Sequence, residues 1–277
     1  MPELPEVESL RRILAKSALG KTIVSAVINE TRLRRTVDSR FAEVIAGRTI
    51  EALERRAKYL IFDLSGAQSL IVHFGMSGSL TYRAAAFDRG RFDSKHDHIF
   101  LRLDDGAALV YNDPRRFGLM KIVARDELID LPEFKGIGPE PMGGGFTVDY
   151  LAAKSRGRIT AIKNLIMDQR IVAGIGNIYA SEILFRAQVR PTRRARRTNR
   201  SEIERIVSAT TAILKSAIGS RGTTFRSYFD SRGRPGEFSR QLRVYGREGE
   251  PCYTCSTPIK NVSVGQRASF YCPRCQT

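Results

Sequence analysis

Two groups of residues, at opposite ends of the chain, have the types and spacing to do chemistry. The sequence opens "MPELPEVESL". Removal of Met1, which a small second residue permits, would leave Pro2 as a free secondary amine beside Glu3. At pH 7 an α-amine of ordinary pKa is roughly 10% neutral, whereas an unperturbed lysine is neutral to only about 0.04%. A terminal amine is therefore the better nucleophile without any special environment, and an adjacent carboxyl can give and take protons. The plain alternative is that Pro2 is only where translation starts. At the far end, all four cysteines fall within the last 26 residues, as Cys252-x2-Cys255, sixteen residues, then Cys272-x2-Cys275. That spacing suits a structural zinc site with a closed set of four thiolates and no open position for catalysis.

These groups need elements to position them. Residues 5–18 read as a helix: Pro5 suits the first helical position, Glu6 and Glu8 the first turn, and Val7, Leu10, Ile13 and Leu14 one face. After Gly20 come eight short β-like runs, "KTIVSAVI", "RTIEALER", "YLIFDL", "SLIVHFGM", "GSLTYR", "HIFLRL", "ALVYND" and "LMKIVA", which suggest a sandwich or a barrel. Residues 131–145, with three prolines and five glycines, make the best hinge. Helical periodicity returns in "TVDYLAAKS", "AIKNLIMD", "NIYASEILFRA" and "RSEIERIVSATTAILKSAI". Residues 219–238 read as a glycine-rich loop, expected to be mobile with nothing bound. The last stretch reads as a β-hairpin clamped by zinc, too small for a core of its own and dependent on the metal to fold. The expected domains are 2–130, a hinge at 131–145, a helical domain at 146–237 and the zinc hairpin at 238–277.

Charge points to a partner. Residues 1–150 hold 22 basic and 21 acidic side chains, whereas 151–277 hold 24 and 8, so nearly all of the net +17 sits in the second half. A basic half of this kind fits a polyanion, because each neutralised phosphate releases counterions; the bland alternative is a solvated basic surface. The segment "RPTRRARRTNR", 190–200, carries six arginines in eleven residues; extra non-specific DNA affinity is its sharper reading and a solvated face the default. "KHDH", 95–98, has two histidines flanking an aspartate but no further ligands, and is not read as a metal site. The opening carries charges throughout and no signal-like apolar run, and no stretch is long enough to span a membrane; the cytosol is the expected compartment.

Taken in order, "PELPEVE", "RRAKYL", "HFGMSGSL", "KHDH", "DPRRFG", "GIGNIYASE" and the terminal "VYGREGEPCYTC…QRASFYCPRCQ" make the chain resemble the formamidopyrimidine-DNA glycosylases from Pro2 to Cys275. These bacterial enzymes remove 8-oxoguanine and ring-opened purines from DNA. The resemblance implies an α+β chain of two domains: an N-terminal β-sandwich with flanking helices, then a helical domain with a helix–two-turns–helix motif and a zinc-finger hairpin, with damaged double-stranded DNA in the cleft between. It implies a cytoplasmic monomer that associates with the nucleoid when bound to DNA, with one structural zinc ion and no membrane partner.

Residue by residue, the resemblance makes Pro2 the nucleophile at the sugar C1′ and Glu3 the acid that opens the sugar ring. Glu6 matches the same motif but has a sound structural role at the helix start. Met76, Arg115 and Phe117 are implied to fill the hole left by the flipped nucleotide; without the motif, Met76 and Phe117 read as ordinary core. Lys58, His73, Asn177 and Arg267 are implied to grip phosphates. Asn177 lies where a glycine turn enters a helix, so helix capping is its other reading. Thr224, Arg226, Ser227 and Tyr228 lie in the segment that closes over the lesion in this family. The activity implied is base removal followed by β- and δ-elimination. Two other readings remain: an endonuclease VIII-like enzyme for oxidised pyrimidines, a group that typically begins Pro-Glu-Gly-Pro where this chain has "PELPE", and a catalytically silent zinc-finger DNA binder, which would predict loss of the Pro2–Glu3 pair or of the intercalating trio.

Overall fold

The computed structural model describes residues 2–84, 95–223 and 236–277. The chain divides into two compact units, 1–135 with 218–239, and 136–217 with 240–277. The described residues at both ends of 218–239, which adjoin or fall in the expected helical domain at 146–237, pack with the first unit. The reason is local: Glu6 Oε1 accepts the Thr223 N–H at 2.7 Å, and Ser9 Oγ reaches the Ile218 carbonyl at 3.5 Å.

The first unit turns the eight apolar runs into eight antiparallel strands: β1 (Thr22–Ile28), β2 (Arg48–Arg56), β3 (Tyr59–Leu64), β4 (Gln68–His73), β5 (Ser79–Arg83), β6 (Asp97–Leu103), β7 (Ala108–Asn112) and β8 (Leu119–Ala124). Their order is β5-β7-β6-β1-β2-β3-β4-β8. β1 pairs with β2 only at Thr22↔Thr49 and Ile23↔Arg48, so the sheet breaks there into two four-stranded halves. A period of two then sets the core: Leu60, Phe62 and Leu64, with Leu70 and Val72, share one buried cluster with Ile99, Leu101 and Leu103, and with Leu109 and Tyr111. The result is a β-sandwich. The strands read as unbroken apolar runs because their other faces are covered too, Ile71 and Val123 by Leu131, and Phe100 and Val110 by Val27.

Helix α1 (Leu4–Ser17) seals this core with Val7, Leu10 and Leu14, all fully buried. At about 1.5–3 kcal/mol for each such side chain, this face fixes the helix, and the helix fixes Pro2 and Glu3. Glu8 adds a polar clasp. Burial opposes its ionisation, but Arg11, Arg12 and, from β2, Arg55 prevail and bring its pKa down to about 2. A short helix, α2 (Phe41–Ile45), is absent from the sequence reading, because five residues carry too little periodicity; it buries Phe41 and Ile45 in the same core.

The second unit is helical: α3 (Val148–Ser155), α4 (Ile162–Met167), α5 (Asn177–Arg186) and α6 (Arg200–Gly219), which runs on into the first unit. Gln169 shapes the two turns between α4 and α5, its amide donating to Met167 and Ile175 carbonyls and accepting from Gly174 N–H. The terminal hairpin pairs β9 (Lys260–Val264) with β10 (Arg267–Tyr271) through Gly265 and Gln266, both at positive φ, a two-residue turn of the primed kind. A Cβ on Gly265, at φ +57°, would meet the Asn164 side chain at 2.7 Å, so glycine spares the hairpin tip both a strained backbone and a crowded contact with α4. No helix among the described residues is long and apolar enough to cross a membrane.

Candidate nucleic-acid interface and active site

Pro2 and Glu3 are both buried, Glu3 to 2% exposure, at the start of α1. Glu3 is the N-cap and forms a reciprocal capping box with Glu6; Pro5 falls in the first turn, one place later than expected. Glu6 does more than cap. Its Oε2 accepts the Glu3 N–H at 2.8 Å while its Oε1 accepts the Thr223 N–H at 2.7 Å, so one buried carboxylate holds both the chain opening and the entry to residues 224–235. Gly222, at φ +77°, lies so close that a Cβ there would meet Glu6 Oε1 at 2.7 Å. Thr224, Arg226, Ser227 and Tyr228 lie outside the described residues.

Met76, Arg115 and Phe117 come together on two loops, one after β4 and one after β7. Met76 is 44% exposed and Phe117 47%, so neither is core. The Arg115 guanidinium lies 4.7 Å from the Phe117 ring centre. Beneath them Asp113, fully buried, ties the loops: its carboxylate accepts from Ser77 Oγ at 2.7 Å, Gly118 N–H at 2.8 Å and Arg115 N–H at 3.3 Å. His98 of "KHDH" holds the Asp113 carbonyl through Nε2 at 2.8 Å, and Asp97 takes Arg83 and Asn112, so both serve this frame. Gly75 allows the loops to touch; a Cβ there would lie 2.4 Å from the Phe117 backbone.

Lys58 and His73 form a third group, Lys58 buried in the two-residue turn between β2 and β3, and His73 opposite Tyr59 at the end of β4. Burial, then the charges of Lys58 and Arg34, push the His73 pKa down to about 4. The ring is neutral at pH 7. Its Nδ1 accepts the Gly75 N–H at 3.1 Å, which leaves the proton of the neutral ring on Nε2.

In the second unit, Asn177 is the first residue of α5, and the cap is Gly176. The capping reading of the Asn177 side chain is therefore replaced: its Oδ1 accepts from Lys163 Nζ at 2.6 Å and its Nδ2 donates to the Ala268 carbonyl at 3.0 Å. Lys163 is fully buried and also donates to the Ala268 carbonyl and Ser269 Oγ, fastening α4, α5 and β10 next to the exposed Arg267. The sequence reading missed Lys163; the available signal was a lone cation inside the apolar "AIKNLIM". Glu182, also missed, is buried and accepts the N–H groups of Arg243, Val244 and Tyr245, pinning the chain that leads into the hairpin; burial raises its pKa against those hydrogen bonds.

The four cysteine sulfurs lie within 4.8 Å of one another, with Cys255 to Cys272 at 3.4 Å and Cys252 to Cys275 at 4.0 Å, and all four are free thiols. Four Zn–S bonds of about 2.3 Å in a tetrahedron separate sulfurs by roughly 3.8 Å, so the set fits one structural zinc ion. Backbone N–H groups of Thr254 and Cys275 point at the Cys252 and Cys272 sulfurs, hydrogen bonds that stabilise thiolates and hold them in place.

Known proteins share this arrangement over the whole chain. The family descriptions that match are "Formamidopyrimidine-DNA glycosylase N-terminal domain" over residues 1–120, "Formamidopyrimidine-DNA glycosylase H2TH domain" over 137–228 and "Zinc finger found in FPG and IleRS" over 249–277. The chain belongs to the formamidopyrimidine-DNA glycosylase family. Curated formamidopyrimidine-DNA glycosylases of Syntrophotalea carbinolica and Cereibacter sphaeroides are 46% identical over 277 residues and 44% over 282, each alignment covering 100% of both chains. A Lactococcus lactis FPG mutant solved with Fapy-dG containing DNA superposes with a TM-score of 0.92 at 32% identity, covering 100% of both chains. The wild-type Lactococcus lactis FPG, solved with oxidised-pyrimidine containing DNA, gives 0.91 at 32%, again covering 100% of both. The formamidopyrimidine-DNA glycosylase fold thus extends over both units and the zinc hairpin.

Proposed function

We propose that this chain is a bifunctional DNA glycosylase and abasic-site lyase of base excision repair, acting on 8-oxoguanine and formamidopyrimidines in duplex DNA. The observation that carries the reading is the buried Pro2–Glu3 pair, locked by Glu6 at the head of α1, in a chain of this family.

The nucleotide must first leave the stack, at a cost of roughly a few kcal/mol. The exposed apolar tips of Met76 and Phe117 suit the vacated space, and Arg115 can hydrogen-bond the base left unpaired. Lys58, His73, Asn177 and Arg267 hold the phosphates: His73 gives a directed N–H without charge, and Lys163 keeps Asn177 turned to its task. With Met1 removed, the Pro2 nitrogen attacks C1′ and the damaged base departs. Glu3 gives a proton to the ring oxygen as the sugar opens, leaving an iminium with a permanent positive charge. That cation takes up electrons as a C2′ proton is lost and the 3′ phosphate leaves; a second elimination releases the 5′ phosphate. Water then frees Pro2, and the product is a one-nucleotide gap with phosphates at both ends. Zinc, held by Cys252, Cys255, Cys272 and Cys275, supplies structure only. We take the working form to be a monomer in the bacterial cytoplasm, on the nucleoid.

The test is borohydride reduction of the protein with duplex carrying 8-oxoguanine opposite cytosine, followed by mapping of the crosslink. An adduct at Pro2 is expected. An adduct elsewhere refutes the mechanism, and none at all leaves a silent DNA binder. A form that retains Met1 should not cleave, because the Pro2 nitrogen is then a tertiary amide. Since a Lactococcus lactis relative was solved with an oxidised pyrimidine, the same assay with such a lesion measures how far specificity extends.

A further inference from the structure

The arginine-rich segment 190–200 is not one surface but two sets of side chains. Arg190, Arg193 and Arg200 are built into the second unit. Arg190 donates to the Pro273 carbonyl at 3.2 Å, Arg193 pairs with Glu202 at 3.1 Å, and Arg200 pairs with Asp149 at 2.8 Å. Arg194, Arg196 and Arg197 are exposed, and among the described residues their side chains form no ion pair or hydrogen bond. Nor do those of Arg156 and Arg158, exposed on the loop after α3.

The backbone laces these two loops together. Ala195 N–H donates to the Thr160 carbonyl at 2.8 Å, Arg196 N–H to the Arg158 carbonyl at 3.0 Å and Ile162 N–H to the Arg193 carbonyl at 2.7 Å, and Ala161 bridges Arg194. Five guanidinium groups therefore project from one fixed frame. The acid that feels Arg158, Asp168, is already held by Arg170 at 2.9 Å. Like charges carried on one such frame repel one another, and an anion that arrives between them relieves that repulsion. All are arginine, whose planar fork matches phosphate oxygens in pairs.

We propose that Arg156, Arg158, Arg194, Arg196 and Arg197 form a second phosphate-binding surface, separate from Asn177 and Arg267, that grips the backbone of undamaged duplex DNA and so supplies affinity independent of sequence and lesion. The choice of DNA over another polyanion rests on the proposed glycosylase function. One exposed apolar side chain, Ile159 at 68%, accompanies the patch, too little to anchor it in a lipid surface.

The experiment compares the zinc-loaded protein with a variant in which all five residues are glutamine, and with a milder Arg196→Gln/Arg197→Gln pair, on undamaged duplex between about 50 and 200 mM salt. Each phosphate that is no longer neutralised makes the slope of log K against log salt shallower by about 0.9. If three of the five are engaged, the slope falls by about 2.7, roughly a 40-fold difference in how far affinity drops over that range. The pair variant guards against misfolding of the fivefold one and should reduce the slope by about 1 to 2. Excision of 8-oxoguanine at saturating enzyme should persist in both. An unchanged slope in the folded pair and fivefold variants overturns the proposal. So does loss of binding to phosphatidylglycerol vesicles with DNA binding intact. If instead the parent protein cleaves no lesion duplex yet shows the slope change, the glycosylase reading fails and the phosphate surface stands.

Discussion

The two units share the use of buried apolar side chains but differ in what they add to hold their candidate site residues. In the first, Pro2, Glu3, Lys58, His73 and the Met76–Phe117 loops hang on a sandwich with a large core of alternating apolar residues. In the second, Asn177 and Arg267 are set by a buried ammonium, a buried carboxylate and four thiols, around a small cluster of Val244, Ile259, Cys252 and Cys272. A hydrophobic scaffold tolerates exchange of similar side chains, because burial has no direction. A scaffold of buried polar groups does not, since removing one partner strands the other. The unit that relies more on buried polar groups is thus also the more fragile one.

The largest effect that bears on this contrast is removal of zinc. Cys272→Ser, or exhaustive chelation, should unfold β9 and β10, displace Arg267 and the Ala268 carbonyl, and lower affinity for lesion duplex by about 100-fold or more, because structural zinc carries much of the folding free energy of so small a motif. Hydrogen exchange should show the hairpin open while the β-sandwich keeps its protection. A sandwich that opens together with the hairpin would break the contrast.

A smaller effect probes a place where the first unit, as at Glu6, also relies on a buried carboxyl group. Asp113→Ala removes the acceptor for Ser77, Arg115 N–H and Gly118 N–H at once. A drop of about 2–4 kcal/mol in chemical unfolding is expected, with lesion cleavage falling further than stability explains because Arg115 and Phe117 lose their frame. Arg115→Ala with normal stability serves as the comparison for function; equal cleavage by the Asp113 variant and the parent would sink the assignment.

Why the sequence discloses some of this and not the rest follows from the same contrast. Strand runs such as "YLIFDL" and "HIFLRL" are legible because apolar periodicity is local, and the cysteine spacing is legible because zinc geometry dictates it. The exposed Met76 and Phe117 are legible only through resemblance, since by type alone both read as core. The roles of Lys163 and Glu182 are not legible, although a lone cation inside "AIKNLIM" marks the position of the first. Their partners, Ser269 at 106 residues' separation and Val244 at 62, are set by tertiary structure. The second duty of Glu6, on Thr223 N–H, is hidden for the same reason, 217 residues away.

The smallest effect concerns His73. Burial first, then Lys58 and Arg34, hold its pKa at about 4 against an ordinary 6.5. Between those values the unfolded chain binds a proton that the folded protein refuses. Unfolding is therefore favoured as pH falls: the contribution is fully present above about pH 6.5 and is lost progressively down to the folded value of about 4. The whole window is worth about 3 kcal/mol. His73→Gln removes the titration, so the difference in unfolding free energy between parent and variant should shrink by about 2–3 kcal/mol from pH 7 to pH 4. A flat difference would mean that the folded ring titrates at the ordinary value, as the unfolded one does, and is charged below about pH 6.5. Below that pH it would grip phosphate as a cation, and the salt slope on duplex DNA would fall by about 0.9 in the same variant. A neutral His73 instead leaves that slope unchanged, which makes the two measurements independent checks on one proton.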